Sequence, residues 1–135
     1  MTIYLVDQSI WSRVDRDPEI AALVSSVARD HTIVTCPPQV LEYCHPAQNP
    51  TEYRERRADM ELLIALRRHP ANGDVLDLQQ ALWDNGLMRA AGTVDLLIAA
   101  YAIANDATVL SADRDFDAIA QATGGRLRHQ LVEMG

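Results

Sequence analysis

TVDLLIAAYAIANDATVLSADRDF, residues 93–116, contains one helix and one strand that are both apolar enough to be buried. Thr93 is a suitable N-cap, and residues 94–105 are apolar on nearly every side, which predicts a helix inside the protein. Residues 108–110 are apolar or β-branched and predict a buried strand. A buried strand next to a buried helix indicates a parallel α/β sheet.

The rest of the chain continues this alternation on both sides of the stretch. Further strands are predicted at residues 3–6, 32–35, 75–78 and 127–132, and further helices at 18–29, from 37, and at 52–69, 79–91 and 115–123. Such alternation predicts a three-layer α/β/α sandwich around a central, mostly parallel sheet. With 135 residues and no linker or repeat, the chain is expected to form one domain.

The composition excludes several classes of protein. All 12 basic residues are arginines, so a lysine-dependent phosphate loop or Schiff base is impossible. The net charge of −7 argues against a protein that coats nucleic acid through bulk positive charge. The N-terminus has no signal-peptide pattern and no apolar run reaches the length of a membrane span, so we expect a cytoplasmic protein without membrane contact. Cys36 and Cys44 are expected to be buried free thiols.

Four acidic residues fall where the carboxyl ends of the strands are expected. Asp7 ends the first strand and Asp113 follows a late one, while Asp95 lies in the first turn of the buried helix and Glu42 in the helix after the second strand. Open parallel sheets bind ligands at this edge. The four carboxylates are therefore expected to converge, although any one of them taken alone is more often a helix cap or a surface charge.

A buried group of carboxylates needs a counter-charge. Lysine is absent, and although an arginine could serve, a divalent ion such as Mg²⁺ or Mn²⁺ prefers oxygen ligands and fits more simply. Such an ion supports the hydrolysis of phosphodiesters. The sequence therefore favours a metal-dependent phosphodiesterase.

Four motifs together resemble the PIN domains, most closely the VapC-type toxin ribonucleases of bacterial toxin–antitoxin pairs. They are YLVDQS at residues 4–9, VLEY at 40–43, DLLIAA at 95–100 and LSADRDF at 110–116. The last two, in this order, are the most specific. The resemblance covers nearly the whole chain and implies a single PIN-like domain over residues 1–135.

The resemblance implies a role for each matched residue. Asp7, Glu42, Asp95 and Asp113 would be the catalytic, metal-binding quartet of an Mg²⁺- or Mn²⁺-dependent endoribonuclease that leaves a 5′-phosphate. Ser9 would orient the site, whereas Asp115 would be either a fifth ligand or the cap of the next helix. The implied partners are RNA and a cognate VapB-like antitoxin, in a homodimer or a toxin–antitoxin hetero-oligomer.

Substrate phosphates need cationic donors, and only arginine is available. Arg13 and Arg114 lie closest to the acidic motifs and are expected to position the substrate, since a guanidinium clamps phosphate with two hydrogen bonds. The arginines of the predicted 52–69 helix are candidates too, or else salt-bridged surface residues with acidic helical neighbours.

Competing families lack residues that they require. A receiver domain needs a lysine after a late strand, a haloacid-dehalogenase-like phosphatase needs Asp-x-Asp where Ser9 stands, and a dinucleotide fold needs Gly-x-Gly-x-x-Gly. The alternative that remains is a PIN-like binding or regulatory protein with weak catalysis.

Overall fold

The computed structural model describes residues 1–133, which form a five-stranded sheet between two layers of helices. The strands, in chain order, are β1 Ile3–Val6, β2 Thr32–Thr35, β3 Ile64–Ala65, β4 Thr108–Ser111 and β5 Arg128–Leu131. Their order across the sheet is β3-β2-β1-β4-β5, and every pairing is parallel. The predicted α/β/α sandwich is confirmed, with a fully parallel sheet among the described residues.

Helices connect successive strands in the described chain. They are α1 Gln8–Trp11, α2 Pro18–Asp30, α3 Pro37–Cys44, α4 Pro50–Glu61, α5 Asn72–Asp84, α6 Thr93–Ala104 and α7 Asp115–Ala122. Several of them begin at a proline preceded by a capping residue. At α2, for example, Asp17 accepts hydrogen bonds from the backbone N–H groups of Glu19 and Ile20.

Each face of the sheet contributes to its own hydrophobic core. Leu5 and Val109 point to one face and pack with the buried helix α6 and with α5 and α7. Val6 and Leu110 point to the opposite face and pack with α1 and α2. This alternation is the two-residue period of a strand buried on both sides.

The predicted helix at 52–69 is wrong in its second half. The helix α4 ends at Glu61, and Ile64–Ala65 is instead the edge strand β3, paired with β2. The apolar residues after Glu61 have helical spacing, but the open edge of β2 offers backbone hydrogen bonds, such as that from Leu66 N–H to the Thr35 carbonyl at 2.8 Å. As a consequence, Arg67 and Arg68 do not lie on this helix.

The predicted strand at 75–78 is also wrong, because these residues belong to α5. Val75, Leu78 and Leu82 are spaced three and four residues apart and pack into the core from one helical face. The helix then ends at Asp84, well before the predicted residue 91. Gly86 follows with a φ of +71°, a conformation that glycine adopts without strain.

Smaller differences concern the helix starts. The short helix α1 was not predicted, since one turn is too short to give a periodic pattern. The N-cap of α6 is Gly92 rather than Thr93, which is the first helical residue.

Two expectations about the whole chain can be compared with the structure. Cys36 and Cys44 are buried and free, as expected. No helix within residues 1–133 combines the length and the apolar character needed to cross a membrane.

The buried helix α6 should dominate the stability of the fold. Ile98 is fully buried, whereas its neighbour Leu97 is 38% exposed on the same helix. We expect Ile98→Ala to lower the free energy of unfolding by about 2–5 kcal/mol, because it leaves a cavity in the core. Leu97→Ala, the matched control, should cost roughly 1 kcal/mol. Urea denaturation of both variants checks this, and equal losses would contradict the burial of α6.

Candidate metal centre

The site lies where the parallel strands β1 and β4 end side by side. Asp7 directly follows β1, and its backbone N–H donates to the Leu110 carbonyl of β4 at 2.9 Å. Asp7 is also the N-cap of α1, since its Oδ2 accepts from Ser9 N–H at 3.1 Å. Its other oxygen, Oδ1, is buried and has no hydrogen-bond partner.

Five acids from four segments meet at this edge. Ligand atoms of Asp7, Glu42 and Asp95 lie within 4.8 Å of one another, and so do those of Asp95, Asp113 and Asp115. Asp95 belongs to both groups, so these residues form one continuous set around it. We call this set the acidic cluster. The structure thus brings together all four acids of the expected quartet, together with Asp115.

The electrostatics of the acidic cluster disfavour its own ionisation. Burial, a hydrogen bond with Asp115 and the nearby charges of Asp7 and Asp113 raise the pKa of Asp95 to about 7. Burial is also the main cause that raises the pKa of Glu42, with smaller contributions from the same two charges. Among the described residues, the causes of both shifts are burial and neighbouring acidic groups, and no cationic side chain contributes to them.

The arginines of the chain do not supply that counter-charge. Among residues 1–133, the ion pairs all involve acids outside the acidic cluster. Arg13 donates to the carbonyl of Ser9 at 2.8 Å, and Arg114 lies 3.8 Å from Glu133 with both side chains largely exposed. Within residues 1–133, neither arginine forms an ion pair with an acid of the cluster.

A divalent cation with a preference for oxygen ligands fits these residues. The donors are carboxylates alone, and the buried Asp7 Oδ1 lacks the partner that a buried polar atom normally has. A bound ion would satisfy this atom and relieve the repulsion around Asp95. Soft or nitrogen-preferring metals fit less well, since neither cysteine nor histidine belongs to the described group.

Two serines fix the loop that carries Asp113. The Ser9 hydroxyl oxygen accepts from Ala112 N–H at 2.9 Å, which ties α1 to the loop after β4. The Ser111 hydroxyl oxygen accepts from Asp113 N–H at 3.1 Å. The contact of Ser111 was not predicted, although the residue stands within the fourth motif.

Asp115 does not cap the helix α7. It is the first residue of that helix, whose N-cap is Arg114 without a side-chain capping bond, and its own N–H donates to Asp113 Oδ1 at 2.9 Å. The carboxyl group of Asp115 instead lies next to those of Asp95 and Asp113, with ligand atoms of the three within 4.8 Å of one another. The geometry therefore excludes the capping role for Asp115 and is compatible with the other role, a fifth ligand in the acidic cluster.

The arginines of α4 have structural contacts. Arg56 stacks over the ring of Tyr43 at 4.9 Å and donates to its carbonyl, while Arg57 pairs with Glu61 at 3.1 Å. These contacts favour the alternative in which the arginines of this helix are paired near the surface.

Comparison of the sequence with known proteins finds a family and a relative that it resembles. A PIN domain family model matches residues 4–122. Ribonuclease VapC2 of Mycobacterium tuberculosis is 48% identical over 58 residues, a match that spans 41% of this chain and 41% of that relative.

Solved structures show the similarity of fold over nearly the whole chain. VapBC2 from Rickettsia felis, bound to a DNA fragment from its promoter, has a TM-score of 0.74 and 20% identity, covering 98% of this chain and 100% of that one. VapBC-1 from nontypeable Haemophilus influenzae has a TM-score of 0.70 and 23% identity, covering 96% and 98%. Because the family model covers most of the sequence, this chain belongs to the PIN domain family.

Proposed function

We propose that this chain is a divalent-metal-dependent endoribonuclease that acts in the cytoplasm as the toxin of a toxin–antitoxin pair. The observation that carries the proposal is the acidic cluster, whose unpaired carboxylates are suited to an oxygen-preferring cation. The name of the relative Ribonuclease VapC2 supports RNA as the substrate.

The residues that would hold Mg²⁺ or Mn²⁺ are Asp7, Glu42, Asp95 and Asp113, with Asp115 as a further candidate. When bound, the ion supplies a Lewis acid that offsets phosphate charge and makes water a better nucleophile. Burial and the neighbouring carboxylates raise the pKa of Glu42 and of Asp115. A carboxylate of the acidic cluster would accept the proton that water loses.

The proposed reaction is hydrolysis of an RNA phosphodiester bond by water. The water oxygen forms a bond to phosphorus, the bond from phosphorus to the 3′ oxygen breaks, and that oxygen takes up a proton. The products are a 5′-phosphate and a 3′-hydroxyl. Arg13 and Arg114, the arginines nearest in sequence to the acidic motifs, would position the phosphates next to the scissile one.

An apolar groove beside the acidic cluster supports the proposal that this chain binds a protein partner. It has a volume of about 340 Å³ and is lined by Pro38, Leu41, Val94 and Leu97, with Glu42 at its side. Leu41 is 65% exposed there, and a contiguous apolar surface of this kind is typical of a protein interface. We infer a VapB-like antitoxin as the partner, in a hetero-oligomer or together with a homodimer, because the related solved structures are VapBC complexes.

Loss of the central carboxylate should abolish cleavage. In Asp95→Asn, we expect RNA cleavage with Mn²⁺ to fall by at least about 100-fold, since even residues that only support metal ligands cost 10–100-fold. Asp77→Asn, an exposed change on α5, is the matched control and should cleave normally. The measurement is the rate of cleavage of a labelled RNA, together with Mn²⁺ binding by calorimetry.

The same pair of variants separates an enzyme from a binding module. If Asp95→Asn cleaves RNA as fast as the wild type, this site is not the catalytic one. If the wild type takes up no Mn²⁺ and does not cleave, the chain is a PIN-like binding or regulatory protein instead.

Stability without metal should fall as the pH rises from about 4 through about 7. The pKa of Asp95 is about 7 in the folded chain and near 3.8 when unfolded, so between these values the folded state binds more protons. Stability from this group is thus full below pH 4 and lost as pH passes 7. Urea denaturation in a chelator should show a weaker pH dependence for Asp95→Asn, and an identical dependence would contradict the raised pKa.

The toxin role has its own test. Induced expression in a bacterial host should stop growth for the wild type and for Asp77→Asn, but not for Asp95→Asn, because only the latter lacks the central carboxylate. Mapping of new RNA 5′ ends after induction identifies the cleaved RNA. The toxin assignment would be overturned if the host grows normally while it contains soluble wild-type protein that binds metal. The nuclease assignment would then still be decided by the cleavage assay.

A further inference from the structure

A chain of hydrogen bonds runs beneath the loop that carries Asp113. His129 on β5 connects Asp117 of α7 to Ser111 of β4: its Nδ1 lies 2.7 Å from Asp117 Oδ1, and its Nε2 lies 2.7 Å from the Ser111 hydroxyl. The same hydroxyl oxygen accepts from Asp113 N–H at 3.1 Å. The chain therefore ends at the backbone of a residue in the acidic cluster.

The direction of the hydrogen bonds follows from the donors available. A carboxylate oxygen only accepts, so Nδ1 of His129 carries a proton toward Asp117. In the neutral ring Nε2 then accepts the single proton of the Ser111 hydroxyl, which lies nearer to it than to the Asp113 carbonyl at 3.0 Å. Each bond polarises the next, from Asp113 N–H through Ser111 and His129 to Asp117.

The order of carboxylate, imidazole and hydroxyl is also that of a hydrolytic triad. Ser111, however, is fully buried, and the side chain of His129 is only 1% exposed. A substrate carbonyl or phosphate cannot reach the Ser111 hydroxyl without unfolding of the sheet. The three residues therefore act on the protein backbone and not on a substrate.

Packing alone does not explain why a histidine stands at position 129 of the edge strand β5. Its side chain points inward and packs against the ring of Phe116, with 5.5 Å between centroids. A phenylalanine or leucine could fill such a place, whereas burying an imidazole is costly unless its nitrogens are bonded. Both nitrogens of His129 are bonded, one of them on the path to Asp113.

We propose that His129 is a positioning residue: through Ser111 it fixes the backbone of Asp113 and so the shape of the acidic cluster. Only the consequence for metal binding rests on the proposed metal-dependent function. The geometric part, that the Asp113 amide is held through Ser111 by His129, concerns the metal-free chain.

Three variants at one position test the proposal. His129→Phe keeps the packing but removes both hydrogen bonds, His129→Gln places an amide near the position of Nε2, and His129→Asn reaches Asp117 but not Ser111. Val27→Ala, a buried change on α2 in the opposite core, is the control for general destabilisation.

Two measurements are made on each variant. In metal-free protein, hydrogen exchange of the Asp113 amide should become faster in His129→Phe and His129→Asn, and stay close to wild type in His129→Gln. Titration with Mn²⁺ alone should show affinity reduced by roughly 10-fold or more in the first two and largely restored in the third. Val27→Ala should lower the urea midpoint without changing either measurement.

The outcomes distinguish the proposal from the function on which it depends. The positioning role would be overturned if the Asp113 amide exchanges in His129→Phe at the wild-type rate. It would also be overturned if the Phe, Asn and Gln variants of His129 all have the same effect. If His129→Phe fails to fold, the comparison of Gln with Asn decides in the same way. If wild-type protein binds no Mn²⁺, the proposed function fails, whereas the exchange measurement still decides whether His129 holds the loop.

Discussion

The repulsion among five carboxylates at one edge of the sheet is the constraint on which the rest of the structure depends. Asp95 stands at the centre, and its pKa of about 7 measures how strongly burial and its neighbours oppose its charge. A chain free to rearrange would move these groups into water. They stay together because each is attached to an element that is anchored in the core, and removing any anchor would let the acidic cluster spread.

The fold provides these anchors and leaves the carboxylates little freedom of position. Adjacent parallel strands, β1 and β4, deliver Asp7 and Asp113 to the same edge, and the apolar helix α6 holds Asp95 in its first turn, where the helix dipole favours an anion. Backbone N–H groups then orient the carboxylates, as Ser9 N–H does for Asp7 and Asp115 N–H for Asp113. The stability of the core is thus used to maintain a site that is itself unfavourable.

The sequence predicts the acidic cluster better than it predicts the helices and strands around it. Strand ends such as Asp7 and Asp113 can be read from short apolar runs, because parallel topology brings such ends together. The edge strand at Ile64–Ala65 could not be read, since its pairing depends on a free edge of β2 that no local pattern reveals. His129 was missed for a similar reason: its two partners lie 12 and 18 residues away, and only the register of β5 beside β4 brings them together.

The charge of the chain agrees with this picture of the site. With a net charge of −7, bulk attraction cannot hold RNA, so affinity has to come from local groups. The arginines near the site bond to Ser9 and Glu133 and leave the acidic cluster without a cation of its own. Each divalent ion bound there would raise the net charge by two, toward zero, and present a positive centre to phosphate. RNA binding at this edge should therefore depend on the metal, in contrast to a protein whose lysines and arginines already attract the backbone.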